Sequence, residues 1–258
     1  RNKMKILISQ FENIKPNSKS FNKYLSSSCK KKDIDLIVFG EYVLNPFFKK
    51  LKPNYSQLQK DFLALQSYLK TIATKYKTTI VAPIYECKNN QIFKSIMVIN
   101  EKKSNFYQSQ RLMQMEHWTE SDFFSNVLKA KNPLVFKIGG LNISVLFGFE
   151  THFDELWIKL KKKNVDVVIV PTASTFGSND RWIRLLQTRS FLNNCFVVRV
   201  NRVGNYIEDN IIWRFYGDSF IALPDGNLGD MLGDKEGVMV SEIKKTMIDE
   251  ARQNWGFR

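Results

Sequence analysis

Short apolar runs alternate with amphipathic segments along nearly the whole chain, and this alternation limits the fold more than any other feature. Residues 35–39 and 166–170 are short and largely apolar, as expected of strands buried on both faces of a sheet. Residues 56–76 predict a long helix, because apolar side chains recur on one face. These side chains are Leu58, Phe62, Leu65, Leu69, Ile72 and Tyr76.

The other segments extend the same pattern. Further strands are predicted at residues 5–10, 78–83, 92–100, 195–200, 219–223 and 237–243. Gly139 and Gly140 join two strand-like halves of residues 134–147, which is a hairpin signal. Helices are predicted around residues 21–29, 153–160 and 182–189, the last capped by Ser178 or Asp180. We therefore expect a single α/β domain over residues 4–258, with large mixed sheets covered by helices.

Composition excludes several classes of protein. With 43% hydrophobic and 25% charged residues, the chain is globular rather than disordered. The three cysteines show no regular spacing, which argues against a disulfide framework and for the cytoplasm. Only two histidines are present, and neither they nor the cysteines are paired at metal-ligand spacing. We expect no metal, no cofactor, no signal peptide and no membrane span.

The net charge of +14 comes from 39 Lys and Arg against 25 Asp and Glu. One explanation is binding to nucleic acid or an anionic surface. The other is compositional, because the lysines are spread along a chain that is also rich in Asn, Ile and Phe. No basic run is interleaved with aromatic residues as in known binding modules, so we expect no nucleic-acid partner.

Five stretches carry a family resemblance when taken in order. They are residues 36–46 with Glu41, 106–124 with Glu120, 143–155 with Gly148, 165–204 with the run Asn201-Arg-Val-Gly204, and 216–226. Together they resemble the nitrilase superfamily of carbon–nitrogen hydrolases over nearly the whole chain. The resemblance implies a four-layer αββα sandwich containing two mixed β-sheets.

The resemblance also implies a three-part chemistry. A Cys thiolate attacks a nitrile or amide carbon, a Glu moves the proton, and a Lys with a backbone N–H stabilises the oxyanion. Carried over position by position, the general base is Glu41, the Lys position is Ser109, and the nucleophile position is Gly148. A second Glu of the family falls on Glu120. Loss of an attacking group costs on the order of 10⁶ in rate, so we predict an impaired or inactive relative of amidases and N-carbamoyl hydrolases.

The remaining pocket residues follow from the same comparison. Arg111, Phe149, Thr172 and Ser174 are candidates for binding a small amide, amine or carboxylate. Without a Lys at position 109, buried Glu41 and Glu120 would repel each other. We therefore expect either a raised pKa on one of them or Arg111 as a replacement counter-charge.

Other nucleophiles have weaker support. We expect Thr151 to be a polar residue at a helix start, Ser144 to hydrogen-bond within its strand, and His152 to lie on the surface. Cys195 sits in an apolar run and is expected in the core. Cys29, which precedes a lysine run, is expected to be exposed.

Three alternatives stay open at this stage. The chain is an active Cys-dependent hydrolase if Gly148 is an engineered substitution, or it is a basic surface-binding protein. A scaffolding role through a homodimer is the third. Trp157 and Trp182 are candidates for that interface, because large aromatics anchor interfaces, with core packing as the competing explanation.

Overall fold

The computed structural model describes residues 2–52 and 54–256. The strands of the main sheets are β1 (Lys3–Gln10), β2 (Leu36–Phe39), β3 (Thr79–Lys88), β4 (Gln91–Ile99), β5 (Ser104–Gln108), β8 (Val135–Ile138), β9 (Leu141–Val145), β10 (Val167–Pro171), β11 (Phe196–Val200), β14 (Phe220–Ala222), β15 (Leu228–Met231) and β16 (Gly237–Lys244). Two small hairpins add β6 (Gln114–Met115) with β7 (Trp118–Thr119), and β12 (Val203–Glu208) with β13 (Ile211–Tyr216). The helices are α1 (Lys19–Lys32), α2 (Tyr55–Tyr76), α3 (Asp154–Lys162), α4 (Asn179–Asn193) and α5 (Lys245–Trp255).

Among the described residues, the main strands form two six-stranded mixed sheets. The first has the order β16-β1-β2-β3-β4-β5, and the second has the order β15-β14-β11-β10-β9-β8. At the centre of each sheet, strands run parallel: β1, β2 and β3 in the first, and β9, β10 and β11 in the second. Antiparallel strands extend both sheets on either side.

The two sheets pack face to face around the main core. Successive side chains of a strand point to opposite faces of the sheet, so one strand packs against the second sheet on one face and against helices on the other. On β1, Ile6 and Ile8 join the core shared with the second sheet, whereas Leu7 joins the cluster under α1 and α2. On the far side, Leu156 of α3 and Leu186 of α4 cover the second sheet. The predicted four-layer αββα sandwich with two mixed sheets is confirmed.

The local predictions differ from the structure mainly at element ends. The hairpin turn at Gly139 and Gly140 is confirmed, with positive φ at both residues. Strand β3 continues past the predicted end at Pro83, because its later residues pair with β4. Ser178 lies at the N-cap position of α4, but its hydroxyl donates to the carbonyl of Thr175 instead of capping the helix.

Some elements were not predicted from the sequence. They include the two small hairpins, strand β15 and helix α5, whose Ile248 and Ala251 are buried. The exposure expected for Cys29 is wrong: its side chain is buried, and burial raises the pKa of the thiol to about 11. Cys195 is buried in the core as expected. The last two residues of the predicted domain lie outside the described residues.

Candidate functional site

The site lies where the carboxyl ends of parallel strands from the two sheets meet. Glu41 follows β2, Gly148 follows β9, and Thr172 follows β10. The backbone N–H of Glu41 donates to the carbonyl of Thr172 at 3.1 Å, which ties the two strand ends together across the sandwich. The backbone N–H of Gly148 lies close to the Glu41 carboxylate and acts to lower the pKa of that carboxyl. Two of the residues implied by the resemblance therefore lie in direct contact.

A buried lysine that sequence reasoning missed forms the centre of the site. The ammonium of Lys94 lies 2.7 Å from Oε2 of Glu41 and 2.6 Å from Oε1 of Glu120. All three residues are buried, with Glu120 fully inaccessible. We call Glu41, Lys94 and Glu120 the charged triad. Because the charges are removed from water, each carboxylate depends on this ammonium for compensation.

Glu120 is held by further donors. The hydroxyl of Tyr42 donates to it at 2.7 Å, the indole N–H of Trp118 at 3.0 Å, and the backbone N–H of Met113 at 3.1 Å. Burial alone would raise the pKa of Glu120, but the attraction of Lys94 and these hydrogen bonds outweigh it and lower the pKa. Glu120 is therefore the ionised partner of Lys94.

Glu41 shows the opposite shift. Burial raises the pKa of its carboxyl, Lys94 opposes that shift, and the neighbouring charge of Glu120 adds to it. Burial lowers the pKa of Lys94, but the two carboxylates more than compensate and raise it. The expected raised pKa on one carboxyl is therefore found on Glu41, and Lys94 stays charged.

Two of the predicted polar residues have other partners. Ser109 directs its hydroxyl to the carbonyl of Arg111 at 2.8 Å and lies 3.4 Å from Glu150. The guanidinium of Arg111 pairs with Glu155 at 2.7 Å and lies over the ring of Phe153. The hypothesis that Arg111 is the counter-charge of the triad is therefore wrong, because Lys94 already fills that place.

The nucleophile position has no room for a side chain. A Cβ placed on Gly148 would lie 2.7 Å from Cγ2 of Thr172 and 3.1 Å from Cη2 of Trp182. The half-buried ring of Trp182 also lies against His152 and over the buried guanidinium of Arg199. Trp182 therefore fills the space beside the nucleophile position from the α4 side.

Trp157 also belongs to the interior. Its ring is buried and its N–H donates to the carbonyl of Thr151 at 2.9 Å. Trp157 is therefore a core residue, as the core-packing explanation expects, and not a candidate for an interface. Trp182 contributes to the site instead.

The turn after Gly148 is held by a second buried carboxylate. Glu150 accepts the backbone N–H groups of Gln110 at 2.6 Å and Phe147 at 2.9 Å, and it accepts the hydroxyl of Tyr107. Burial raises the pKa of Glu150 to about 7, although these hydrogen bonds oppose the shift. This carboxylate joins the end of β5 to the start of the turn, so its role is structural.

The other polar side chains near this turn are engaged in local hydrogen bonds. The hydroxyl of Thr151 donates to the carbonyl of Gly148 at 2.6 Å, and that of Ser144 donates to the carbonyl of Leu134 at 2.8 Å. His152 is exposed and its Nδ1 lies 3.0 Å from the carbonyl of Phe149. Phe149 itself packs edge-on against Phe153, outside the cavity described below.

Thr172 and Ser174 are linked through one amide. The hydroxyl of Thr172 and the backbone N–H of Ser174 both donate to Oδ1 of Asn201, at 2.9 Å and 2.8 Å. Both residues are buried. They hold the β10 end in place, and neither lines the cavity next to the charged triad.

That cavity is very small. Its volume is about 10 Å³, and it is lined by Glu41, Tyr42, Asn45, Pro83, Ile84, Tyr85, Lys94 and Phe147. A space of about 10–15 Å³ holds a single water molecule, so these side chains leave little room beside the triad. The binding of a small amide, amine or carboxylate at this site stays a prediction. The β12–β13 hairpin covers this region through Trp213 and Phe215, which pack on Phe47.

Two negative findings apply to the described residues. Residues 2–52 and 54–256 contain no group of three or more His, Cys, Asp and Glu side chains arranged to hold a metal ion. No helix in this part of the chain is both long and apolar enough to cross a membrane.

Comparison with known proteins places this geometry in a family. The chain is 25% identical over 206 residues to a deaminated glutathione amidase of Synechocystis sp., covering 74% of this chain and 73% of that protein. It is 26% identical over 207 residues to an N-carbamoylputrescine amidase of Solanum tuberosum, covering 73% and 67%. A carbon–nitrogen hydrolase from Helicobacter pylori G27 superposes with a TM-score of 0.87 at 17% identity, covering 99% and 94%.

The family profile covers almost the whole chain. The profile described as carbon–nitrogen hydrolase matches residues 6–253, which include Glu41, Lys94, Glu120 and Gly148. The solved structure just compared supports the same fold. This chain therefore belongs to the carbon–nitrogen hydrolase family.

Proposed function

We propose that this chain is a non-hydrolytic member of the carbon–nitrogen hydrolase family. The observation that carries the proposal is Gly148: it offers no attacking atom, and a Cβ at this position would lie only 2.7 Å from the methyl of Thr172 and 3.1 Å from Trp182. A thioester intermediate therefore cannot form at this position.

The neighbours of Gly148 support a natural loss over an engineered one. A single substitution of Cys by Gly would leave an empty space beside the backbone. Here the methyl of Thr172 would lie only 2.7 Å from a Cβ at this position, so a larger residue requires this side chain to move. The side chains around position 148 therefore fit a glycine. This argues against the alternative that the chain is an active hydrolase with an engineered glycine in place of its cysteine.

The closed cavity extends the proposal to binding. Relatives of this chain are named as amidases, and their substrates are far larger than a space of about 10 Å³. We propose that the charged triad holds the strand ends together and binds no amide. Association of the chain with a second copy remains a prediction, which light scattering can measure.

The experiment is an ammonia-release assay on the wild-type chain with simple amides and N-carbamoyl amines. An amidase from the same family serves as the positive control in the same buffer. We expect release by this chain at the rate of the buffer blank. Turnover above the blank that scales with protein concentration would overturn the proposal.

Ligand binding is tested separately by thermal unfolding. The same amides, together with matched amines and carboxylates, are added at millimolar concentration. We expect no shift of the midpoint, because the closed cavity admits no such molecule. A saturable, concentration-dependent rise for one compound would show that the pocket opens and binds it.

A further inference from the structure

The cation beside Glu41 comes from a different strand than the family resemblance implies. The resemblance places a lysine at position 109, where this chain has Ser109. The structure places the ammonium of Lys94, from β4, between the two carboxylates of the triad. Ser109 contacts neither of them through its hydroxyl, which donates to Arg111.

The two positions are neighbours across the sheet. Strands β4 and β5 are antiparallel, with Ser95 opposite Gln108. One step further, the backbone N–H of Ser109 donates to the carbonyl of Lys94 at 2.9 Å. Directly opposite residues of an antiparallel pair project to the same face, about 5 Å apart. A lysine side chain is long enough to bridge that distance, so either position can present an ammonium to the same carboxylates.

The surroundings of Lys94 also place it at the reaction centre. Its ammonium lines the cavity with Glu41 and lies 4.7 Å from the ring centroid of Phe147, the residue before Gly148. The backbone N–H of Gly148 reaches Glu41 itself. Lys94 as the cation, Glu41 as the proton acceptor and Gly148 at the nucleophile position are therefore neighbours in one site.

We infer that Lys94 occupies, from the neighbouring strand, the electrostatic position that the family assigns to residue 109, so that the chain keeps the cation of the site and lacks the nucleophile and the space around it. This inference rests on the proposed function, because it concerns the same site. In the wild-type chain Lys94 is a positioning residue for Glu41 and Glu120. Lys94 can stabilise an oxyanion only when an attacking group is introduced at position 148.

The measured step is acylation of a cysteine introduced by Gly148→Cys, in a protein that also carries Thr172→Ser. The serine keeps the hydroxyl that donates to Asn201 and removes the methyl that blocks a Cβ. With p-nitrophenyl acetate, the thiol gives its proton to Glu41 and its sulfur bonds to the acyl carbon. The carbonyl electron pair moves onto oxygen beside Lys94, then returns and expels p-nitrophenolate. Water later attacks the thioester and releases acetate and the thiol.

The test compares three full-length proteins. The first carries G148C and T172S. The second adds K94M with E120Q, which removes one charge of each sign and leaves the net charge of the triad unchanged. The third adds K94S with S109K to the first, which returns the lysine to the strand position expected from the family. Unfolding midpoints confirm that all three are folded.

We expect the first protein to release about one p-nitrophenolate per chain in a rapid burst. The burst rate is expected to fall by about 10²-fold or more in the second, the range found when one oxyanion donor is removed. In the third it is expected to recover to within about 10-fold of the first. Alkylation of Cys at position 148 by iodoacetamide is expected to be similar in all three, because that reaction forms no oxyanion.

Several results would overturn the inference. An unchanged burst rate in the second protein would show that Lys94 is only structural. A first protein that is folded but neither acylated nor alkylated would show that the site lacks more than a nucleophile. Turnover by the wild-type chain is a different outcome: it would refute the proposed function, while the comparison among the three proteins would still decide the role of Lys94.

Discussion

Replacing Lys94 by Met should destabilise the fold more than replacing any surface lysine. The ammonium lies 2.7 Å and 2.6 Å from two buried carboxylates. At an effective dielectric constant of about 20, unit charges at that separation attract by ~6 kcal/mol. Desolvation of several kcal/mol per ion offsets most of this gain, so the intact triad adds little net stability. Removing the cation alone leaves the desolvation cost of the carboxylates uncompensated. We therefore expect the free energy of unfolding to fall by about 3–5 kcal/mol.

The assay is urea unfolding followed by tryptophan fluorescence, at several pH values. Without the ammonium the pKa of both Glu41 and Glu120 rises, and protonation relieves the cost at low pH. The loss caused by K94M should therefore grow as the pH rises from about 5 to about 8. Removing one carboxylate as well, with K94M and E120Q together, returns the site to the net charge of the wild type and should recover part of the stability at high pH.

A surface ion pair gives the matched control. Lys245 and Asp249 form an exposed pair at 2.7 Å on α5. Replacing Lys245 by Met should cost about 0–1 kcal/mol, the range for exposed pairs, with little pH dependence. A loss below about 1 kcal/mol for K94M, or an equal loss for both variants, would refute the reasoning about the buried triad.

The remaining predictions concern the turn after β9 and the buried thiols. Gly148→Ala should destabilise by about 1–3 kcal/mol through overpacking, and Thr172→Ser in the same chain should recover most of that loss in a double-mutant cycle; additive effects would show that the methyl does not block the site. Burial raises the pKa of Glu150 from 4.5 to about 7, so the stability difference between wild type and Glu150→Gln should fall by up to about 3 kcal/mol between pH 4.5 and 7 and stay level above. A difference that does not change with pH in unfolding titrations would contradict this shift. Cys29 and Cys87 are buried with thiol pKa values raised to about 11, so a thiol reagent at pH 8 should label them only after denaturation.

Much of the fold could be predicted because it depends on local patterns. Runs such as residues 166–170 are apolar throughout, and a strand covered on both faces requires that pattern. The long helix α2 shows its buried face in the spacing of Leu58, Leu65 and Leu69. The β12–β13 hairpin was missed because its turn, Asp209 and Asn210, takes positive φ values without a glycine.

The candidate site could be predicted only in part. Glu41, Glu120 and Gly148 follow from motif order, since each belongs to a local sequence pattern. The role of Lys94 does not follow from a motif, because it lies inside a strand whose sequence is largely apolar. Only the pairing of β4 with β5 places its ammonium at the site. A single lysine within the otherwise largely apolar residues 92–99 was the one available signal. The space beside Gly148 is bounded by distant side chains such as Trp182, and this could not be predicted from any local segment.

We propose a site built around the charged triad of Glu41, Lys94 and Glu120, with no space for a nucleophile at Gly148. The most direct measurement is a high-resolution crystal structure of the wild-type chain, soaked with amides and carboxylates. The account predicts density for the Lys94 ammonium between Glu41 and Glu120, with the Thr172 methyl against Gly148 and no bound compound. An amide or carboxylate held beside Glu41, with Lys94 turned toward it, would contradict the account.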